Sequence, residues 1–336
     1  MMRTLPVAIA LAFMTSSLQA QTIPVTVDNF VRAESDLYLG NIAKQGGGLG
    51  KLFHRREPSS IADQTVIRLN RDTLYSSGVF DLDAGPVTVT MPDSGARFMS
   101  LMSVSQDHYA ATVYGAGTYI YDKGKVGTRY VLIGVRTFAD PNDPKDLAQV
   151  HALQDSVKMS QQGTGTLDMP VYDPESQKKV RDALLVLGST MPDFSKAFGN
   201  KSEVDPVRHL IGAAMGWGGN PDKDAVYLNV TPAKNDGATV YKLKVGSVPV
   251  DAFWSVSLYD AKGFYEKNPY DAYSINSVTG RKGDDGAVTI QFGGCDGNIP
   301  NCLPIMKGWN YTVRLYRPRA EILNGTWKFP EPQPLN

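Results

Sequence analysis

Histidine, cysteine and any excess of one charge are all scarce in this chain of 336 residues, and each scarcity removes a class of function. There are four histidines, His54, His108, His151 and His209, and none share a ligand spacing such as His-x-x-x-His. A metal centre would have to assemble from distant segments, so neither a metal nor any other cofactor is expected. The 34 basic residues balance the 34 acidic ones, which gives no reason to expect nucleic acid or an anionic membrane as a partner. After the first twenty residues no apolar run is long enough to span a bilayer. There is no Gly-x-Ser-x-Gly elbow, so a common serine hydrolase is disfavoured. Gly46-Gly47-Gly48 before Leu49-Gly50-Lys51 imitates a phosphate loop without being one. Gln45 takes the glycine position, and Leu52 stands where a magnesium-binding hydroxyl is needed.

The two cysteines, Cys295 and Cys302, fall in one loop. In an oxidising compartment they should form a disulfide, contributing about 2–3 kcal/mol through loop-closure entropy. Zinc ligation is the rival role, but two cysteines with no neighbouring histidine make a poor site. The compartment is suggested by the opening residues. Arg3, the apolar run Leu5 to Met14 and the small-residue end at Ala20 have the layout of a secretion signal. Cleavage after Ala20 removes 20 of the 336 residues and leaves 316, enough for about two domains. Arg3 is the one charge removed, leaving 33 basic against 34 acidic residues, a net −1. The expected location is the periplasm or the exterior.

The period of the apolar residues divides the remainder. Val27, Phe30, Val31, Tyr38 and Ile42 mark an amphipathic helix over Thr26 to Ala43, with Asp28 as its cap. Residues 65–136 carry short strand-like runs: Val66 to Leu69, Gly78 to Leu82, Val87 to Met91, Phe98 to Val104 and Arg129 to Ile133. Residues 141–218 read as helices over Pro144 to Gln161 and Pro174 to Gly188, then a third opened by Asp205 and Pro206. Strands return at Val226 to Val230, Thr239 to Val245, Phe253 to Tyr259, Val288 to Phe292 and Tyr311 to Tyr316. The expected fold is mainly β, a β-rich α+β arrangement of two antiparallel sandwiches. The expected divisions are the signal (1–20), a helix with the first sandwich (21–140), a helical connection (141–224) and the second sandwich (225–336).

Asn70-Arg71-Asp72-Thr73-Leu74-Tyr75-Ser76 packs a carboxylate, a guanidinium, an amide and a phenol into what reads as a connection between strands. Burying such groups is costly unless they pair or bind something. Arg71 fits a carboxylate or phosphate bidentately, and Asp72 can serve as base or ligand. The structural alternative is a turn in which Asp72 accepts backbone hydrogen bonds and Arg71 meets a neighbouring acid. Asp107 and His108 offer an acid/base pair, but strand neighbours point to opposite faces unless the chain turns there. His209 lies four residues after Asp205, which can cap the helix or orient the ring. Tyr75, Tyr109 and Trp254, among sixteen tyrosines and four tryptophans, can stack on a sugar ring, although aromatics are favoured in sandwiches anyway.

The Asn70 to Ser76 segment with Phe80-Asp81-Leu82 resembles the signature of domain-of-unknown-function family 1254. Ala252 to Asp260, Asn268-Pro269-Tyr270, Arg314-Leu315-Tyr316-Arg317-Pro318 and Asn324 to Trp327 resemble family 1214. The two families usually occur together in exported bacterial proteins, and the resemblance implies two jelly-roll-like sandwiches. It departs at Cys302, where tryptophan is common, and at Ala272, where arginine is common. It implies no activity.

The leading expectation is therefore an exported protein that binds a small acidic or saccharide ligand in a cleft near the domain interface. Asn70, Arg71, Tyr75, Tyr109 and Trp254 are its expected contacts. The rival is a hydrolase or lyase using Asp72, Asp107, His108 or His209 as acid and base, with Arg71 on an anionic group. A third is an assembly component, because an open sandwich edge invites pairing between copies in a homo-oligomer.

Overall fold

The structure, a computed structural model, describes residues 22–64 and 67–335. The expected signal, 1–20, lies outside them. The strands of the first half are β1 (Phe53–His54), β2 (Thr73–Asp81), β3 (Val87–Met91), β4 (Met99–Ser105), β5 (Ala110–Tyr114), β6 (Gly117–Tyr121), β7 (Tyr130–Phe138) and β8 (Lys158–Gln161). Those of the second half are β9 (Ala225–Val230), β10 (Tyr241–Val245), β11 (Trp254–Tyr259), β12 (Ser274–Asn276), β13 (Val288–Phe292), β14 (Cys302–Leu303), β15 (Asn310–Tyr316) and β16 (Gln333–Pro334). The helices are α1 (Phe30–Gln45), α2 (Lys123–Val126), α3 (Pro144–Ser156), α4 (Pro174–Gly188), α5 (Pro206–Met215) and α6 (Ala320–Leu323).

Each half is a pair of facing sheets. In the first, a five-stranded sheet ordered β1-β2-β7-β4-β5 faces a three-stranded sheet ordered β6-β3-β8. Alternation decides which side chains meet between them: Phe80, Leu101, Val131, Ile133 and Val135 point inward against Val87 and Val89. In the second, β14-β13-β10-β16 faces β12-β11-β15-β9 around Leu243, Val256, Ile290, Trp309 and Val313. Between the named strands the pairing is antiparallel except for β13 with β14.

The outer face of the five-stranded sheet is covered by helix. Leu39 and Ala43 of α1 pack on Val79, Met102, Val104 and Leu132. Phe30 and Ala33 of α1 meet Leu184 of α4 and Ile211 of α5. The helical segment expected to join the sandwiches thus forms a layer on the first of them. Asp205 caps α5 ahead of Pro206, as the spacing indicated, and Asp173 caps α4 ahead of Pro174 in the same way.

Several boundaries moved. The helix expected to Gln161 stops at Ser156, because Lys158–Gln161 pairs with β3 as a strand. The residue before α1 is Asn29 rather than Asp28, and its side chain makes no capping bond to the helix. It braces the preceding loop instead, accepting from the Thr26 amide and donating to the Pro24 carbonyl. Of the expected strand Val66 to Leu69, Val66 lies outside the described residues and the remainder is not a strand: Ile67 and Arg68 form a turn, with Arg68 left-handed at φ 54°. Thr73 to Ser76 belong to β2 itself, so the polar signature straddles the start of a strand.

Candidate functional site

The site is built on one row of side chains across four strands. Tyr75 of β2 lies opposite Arg136 of β7, Arg136 opposite Ser100 of β4, and Ser100 opposite Tyr114 of β5. Directly paired residues share a face. This face is the outer one, shared with Val79, Met102 and Leu132, at the end that α1 leaves uncovered and the second sandwich approaches. Gly134, one step along, leaves the floor low: a Cβ there would meet nothing nearer than the Met102 carbonyl at 3.9 Å.

Arg136 is the residue that sequence reasoning missed. Its guanidinium lies 5.4 Å from the Tyr75 ring centroid, with Tyr227 and Tyr316 of the second sandwich also beside it. One nitrogen donates to the Gly218 carbonyl at 3.3 Å. Among the described residues no carboxylate pairs with it. Arginine has five N–H donors and no acceptor, and the Gly218 carbonyl and the Tyr227 hydroxyl take up only part of this capacity. The signal that marks it is a lone cation in Tyr130–Phe138, a strand otherwise without charge and mostly buried.

The phenols around it face the same way chemically. Asn70 Nδ2 donates across the seam to the Tyr316 hydroxyl at 3.0 Å and to the Tyr75 hydroxyl at 3.2 Å. Asn220 Nδ2 donates to the Tyr227 hydroxyl at 2.7 Å. Each phenol oxygen is thereby an acceptor for an amide, and its own proton has no acceptor among the described residues. Burial and the nearby Asp72 carboxylate push the Tyr316 hydroxyl well above its ordinary range, so it stays a donor. One guanidinium, with the Gly218 carbonyl as a long acceptor, converges with three phenolic O–H groups whose protons have no acceptor among the described residues.

The rest of the signature fastens the two sandwiches. Asn70 Oδ1 accepts from the Asp72 amide at 2.8 Å, an Asx turn that starts β2. Asp72 is buried and accepts from Ser255 of β11 at 2.6 Å, so its partner is the other sandwich rather than the local backbone. Arg71 donates to the Ser59 carbonyl and lies 5.2 Å over the Tyr273 ring, a cation–π contact in place of the expected ion pair. A cavity of about 20 Å³ lies beside it, lined by Arg71, Asp140, Asp271, Tyr273 and Asn276, room for about one water. Arg314, also buried, is the contrast to Arg136. It donates to Ser257, to the Arg68 carbonyl and to the Tyr259 hydroxyl, at 2.7–2.8 Å.

The histidines come together, but not as a catalytic pair. The chain turns after β4, with His108 left-handed at φ 61°. His108 stacks 5.3 Å from His209 on one side and 5.6 Å from Trp217 on the other. Its Nε2 accepts from the Gly218 amide at 2.8 Å, which places the proton on Nδ1, buried and without a partner. Burial pushes this imidazole down to about 3, helped by His209. The His209 nitrogens face the Ala197 carbonyl at 3.1 Å and the Asp107 carbonyl at 3.0 Å, so neither is open to a substrate. Asp205 caps α5 through the Val207 and Arg208 amides and does not orient the ring. The Asp107 carboxylate turns outward to Arg32. The acid/base set expected from Asp72, Asp107, His108 and His209 is therefore not assembled.

The other expected contacts divide. Tyr75 belongs to the donor cluster, and Asn70 holds it. Tyr109 stacks on His209 at 4.9 Å, outside the cluster. Trp254 is a correction: it is 4% exposed and packs edge-on against Phe329 in the second core. Position 254 alternates inward, so its indole cannot face a ligand. The Gly218 peptide links the two groups of residues, its amide held by His108 and its carbonyl by Arg136. Cys295 and Cys302 form the expected disulfide. A groove of about 600 Å³ beside Lys234, Val240, Gln291 and Leu335 lies away from this chemistry, on the β10–β16 edge of the second sandwich.

Residues 49–161 match a family described as Protein of unknown function (DUF1254), and residues 225–320 match Protein of unknown function (DUF1214). No curated protein matches the chain. Among solved structures, the VPA0106 protein from Vibrio parahaemolyticus is similar at a TM-score of 0.71 and 18% identity, covering 92% of this chain and 98% of that one. A putative uncharacterized protein from Burkholderia cenocepacia is similar at 0.50 and 13% identity, covering 91% and 86%. At these identities the likeness is one of fold.

Proposed function

For a chain that pairs a DUF1254 domain with a DUF1214 domain, we propose a role as an exported protein that binds a small carboxylate at the seam between them. The observation that carries this reading is the convergence of Arg136, which meets one backbone carbonyl and no carboxylate, with the hydroxyls of Tyr75, Tyr227 and Tyr316, whose protons have no acceptor among the described residues. Donors shielded from water without enough acceptors are costly, here Tyr316 fully and the other three in part, and an anion is the group that satisfies all four at once. Ser100 and Gly134 put small side chains beside Arg136. An acidic sugar fits the same donors, with Tyr75 as a stacking face. Export is supported by the signal-like start and by the disulfide.

The test is a thermal-shift and calorimetric panel of acetate, benzoate, glucuronate and glucose. The acids should raise the melting temperature and the neutral sugar should not. Arg136→Gln should abolish the shift while circular dichroism shows the fold retained. If no acid stabilises the protein, or if the folded variant responds as strongly, the reading fails.

A further inference from the structure

Arg317 is the second arginine of the Arg314 to Pro318 segment and lies outside the donor cluster. Its backbone is left-handed at φ 52°, a conformation that costs a non-glycine residue about 1 kcal/mol. Both ends of that residue are clamped: its amide donates to the Asp224 carbonyl at 2.9 Å, and its carbonyl accepts from the Asp251 amide at 2.8 Å. The strained turn lays the guanidinium 4.8 Å from the Tyr114 ring centroid. There it forms no ion pair and no side-chain hydrogen bond among the described residues. Of the nearby acids, Asp224 accepts from the Tyr114 hydroxyl at 2.9 Å through one oxygen, and its other oxygen is buried without a hydrogen-bond partner among the described residues. Asp251 is engaged by Arg319 at 2.6 Å.

Tyr114 and Arg136 flank Ser100 on the same face, one strand away on either side. Strand spacing puts those two positions about 10 Å apart. The seam therefore presents two half-buried guanidinium groups without anionic partners, one at each end of a short polar row. A single carboxylate or phosphate is too small to reach both. A chain of about four to six carbons with a carboxylate at each end spans about 5–8 Å, and each charge-assisted contact adds about 3 Å. We infer that the ligand is a dicarboxylate, one end held by Arg136 and its phenols and the other by Arg317 over Tyr114. This rests on the carboxylate reading above and narrows it.

The test is calorimetry of the oxidised protein with acetate, succinate, glutarate, adipate and inorganic phosphate. At least one diacid should bind about tenfold tighter than acetate or phosphate. Arg317→Gln should erase that advantage and leave acetate affinity unchanged, whereas Arg136→Gln should remove binding of every acid. Equal affinity for acetate and all diacids, no effect of Arg317→Gln, or phosphate binding as tightly as the best diacid would each overturn the dicarboxylate. Acetate binding that depends on Arg136 would still stand in those cases. Failure of every acid to bind would sink both readings together.

Discussion

Asp72 and Ser255 meet across the domain seam: the serine hydroxyl donates to the aspartate Oδ2 at 2.6 Å, and both residues are buried. The other oxygen of Asp72 has no hydrogen-bond partner among the described residues. The most polar stretch of the sequence thus serves two ends. Asp72 joins the sandwiches, while Asn70 and Tyr75 shape the donor cluster beside it.

Burial pushes the Asp72 carboxyl above its ordinary value, against the opposing pull of Arg314 and Ser255. The native protein then holds that proton more tightly than the unfolded chain, whose aspartates titrate at about 3.9. The stability this supplies is present below that pH and declines as pH rises through the native value. Asp72→Asn keeps the acceptor and removes the titration. Urea unfolding at about pH 4 and pH 7 should show the variant gaining on the wild type, by about 1.4 kcal/mol per unit of elevation. A difference that stays constant between the two conditions counts against this account.

His108 works in the opposite sense. Its ring, pushed down to about 3 in the native state, titrates at about 6.5 when unfolded. The stability of the neutral buried ring is complete above about pH 6.5 and drains away as pH falls toward the native value, by up to about 1.4 kcal/mol per unit. His108→Asn retains an acceptor for the Gly218 amide and tolerates the left-handed backbone. It should flatten the acid limb of the stability profile, measured by denaturant melts across that range. An acid limb as steep as in the wild type would show that another group sets it.

Glu34 lies fully buried in α1 and accepts from Arg181 Nε and Gln177 Nε2, each at 2.8 Å. Arg181→Ala leaves that carboxylate with one neutral donor and should cost about 3 kcal/mol. Replacing both partners, Glu34→Gln with Arg181→Leu, should cost less than the single change. Equilibrium unfolding decides it. A single-variant loss below about 1 kcal/mol would place the pair with ordinary surface bridges.

Several strands and the cap of α5 were legible because they follow local rules: alternation, proline in the first turn and an aspartate before it. Lys158–Gln161 was not, since nothing in those four residues prefers a strand over a further helical turn. The exposed edge of β3 decides it by offering unpaired backbone groups. The site was legible in part. Asn70 and Tyr75 stood out by composition, and His108 and His209 by rarity. Arg136 did not, although a single cation in an apolar strand was there to be noticed.

Spacing and composition by themselves determined the two sandwiches, the disulfide and the family signatures, because these depend on short-range periodicity and loop length. Only the tertiary structure decided which polar groups were satisfied and which were left open. Asp72, His209 and Arg314 found partners from segments far along the chain, and Arg136 and Arg317 found no anion among the described residues. The satisfaction of a buried donor is a property of everything packed around it, and no stretch of neighbouring residues contains that information.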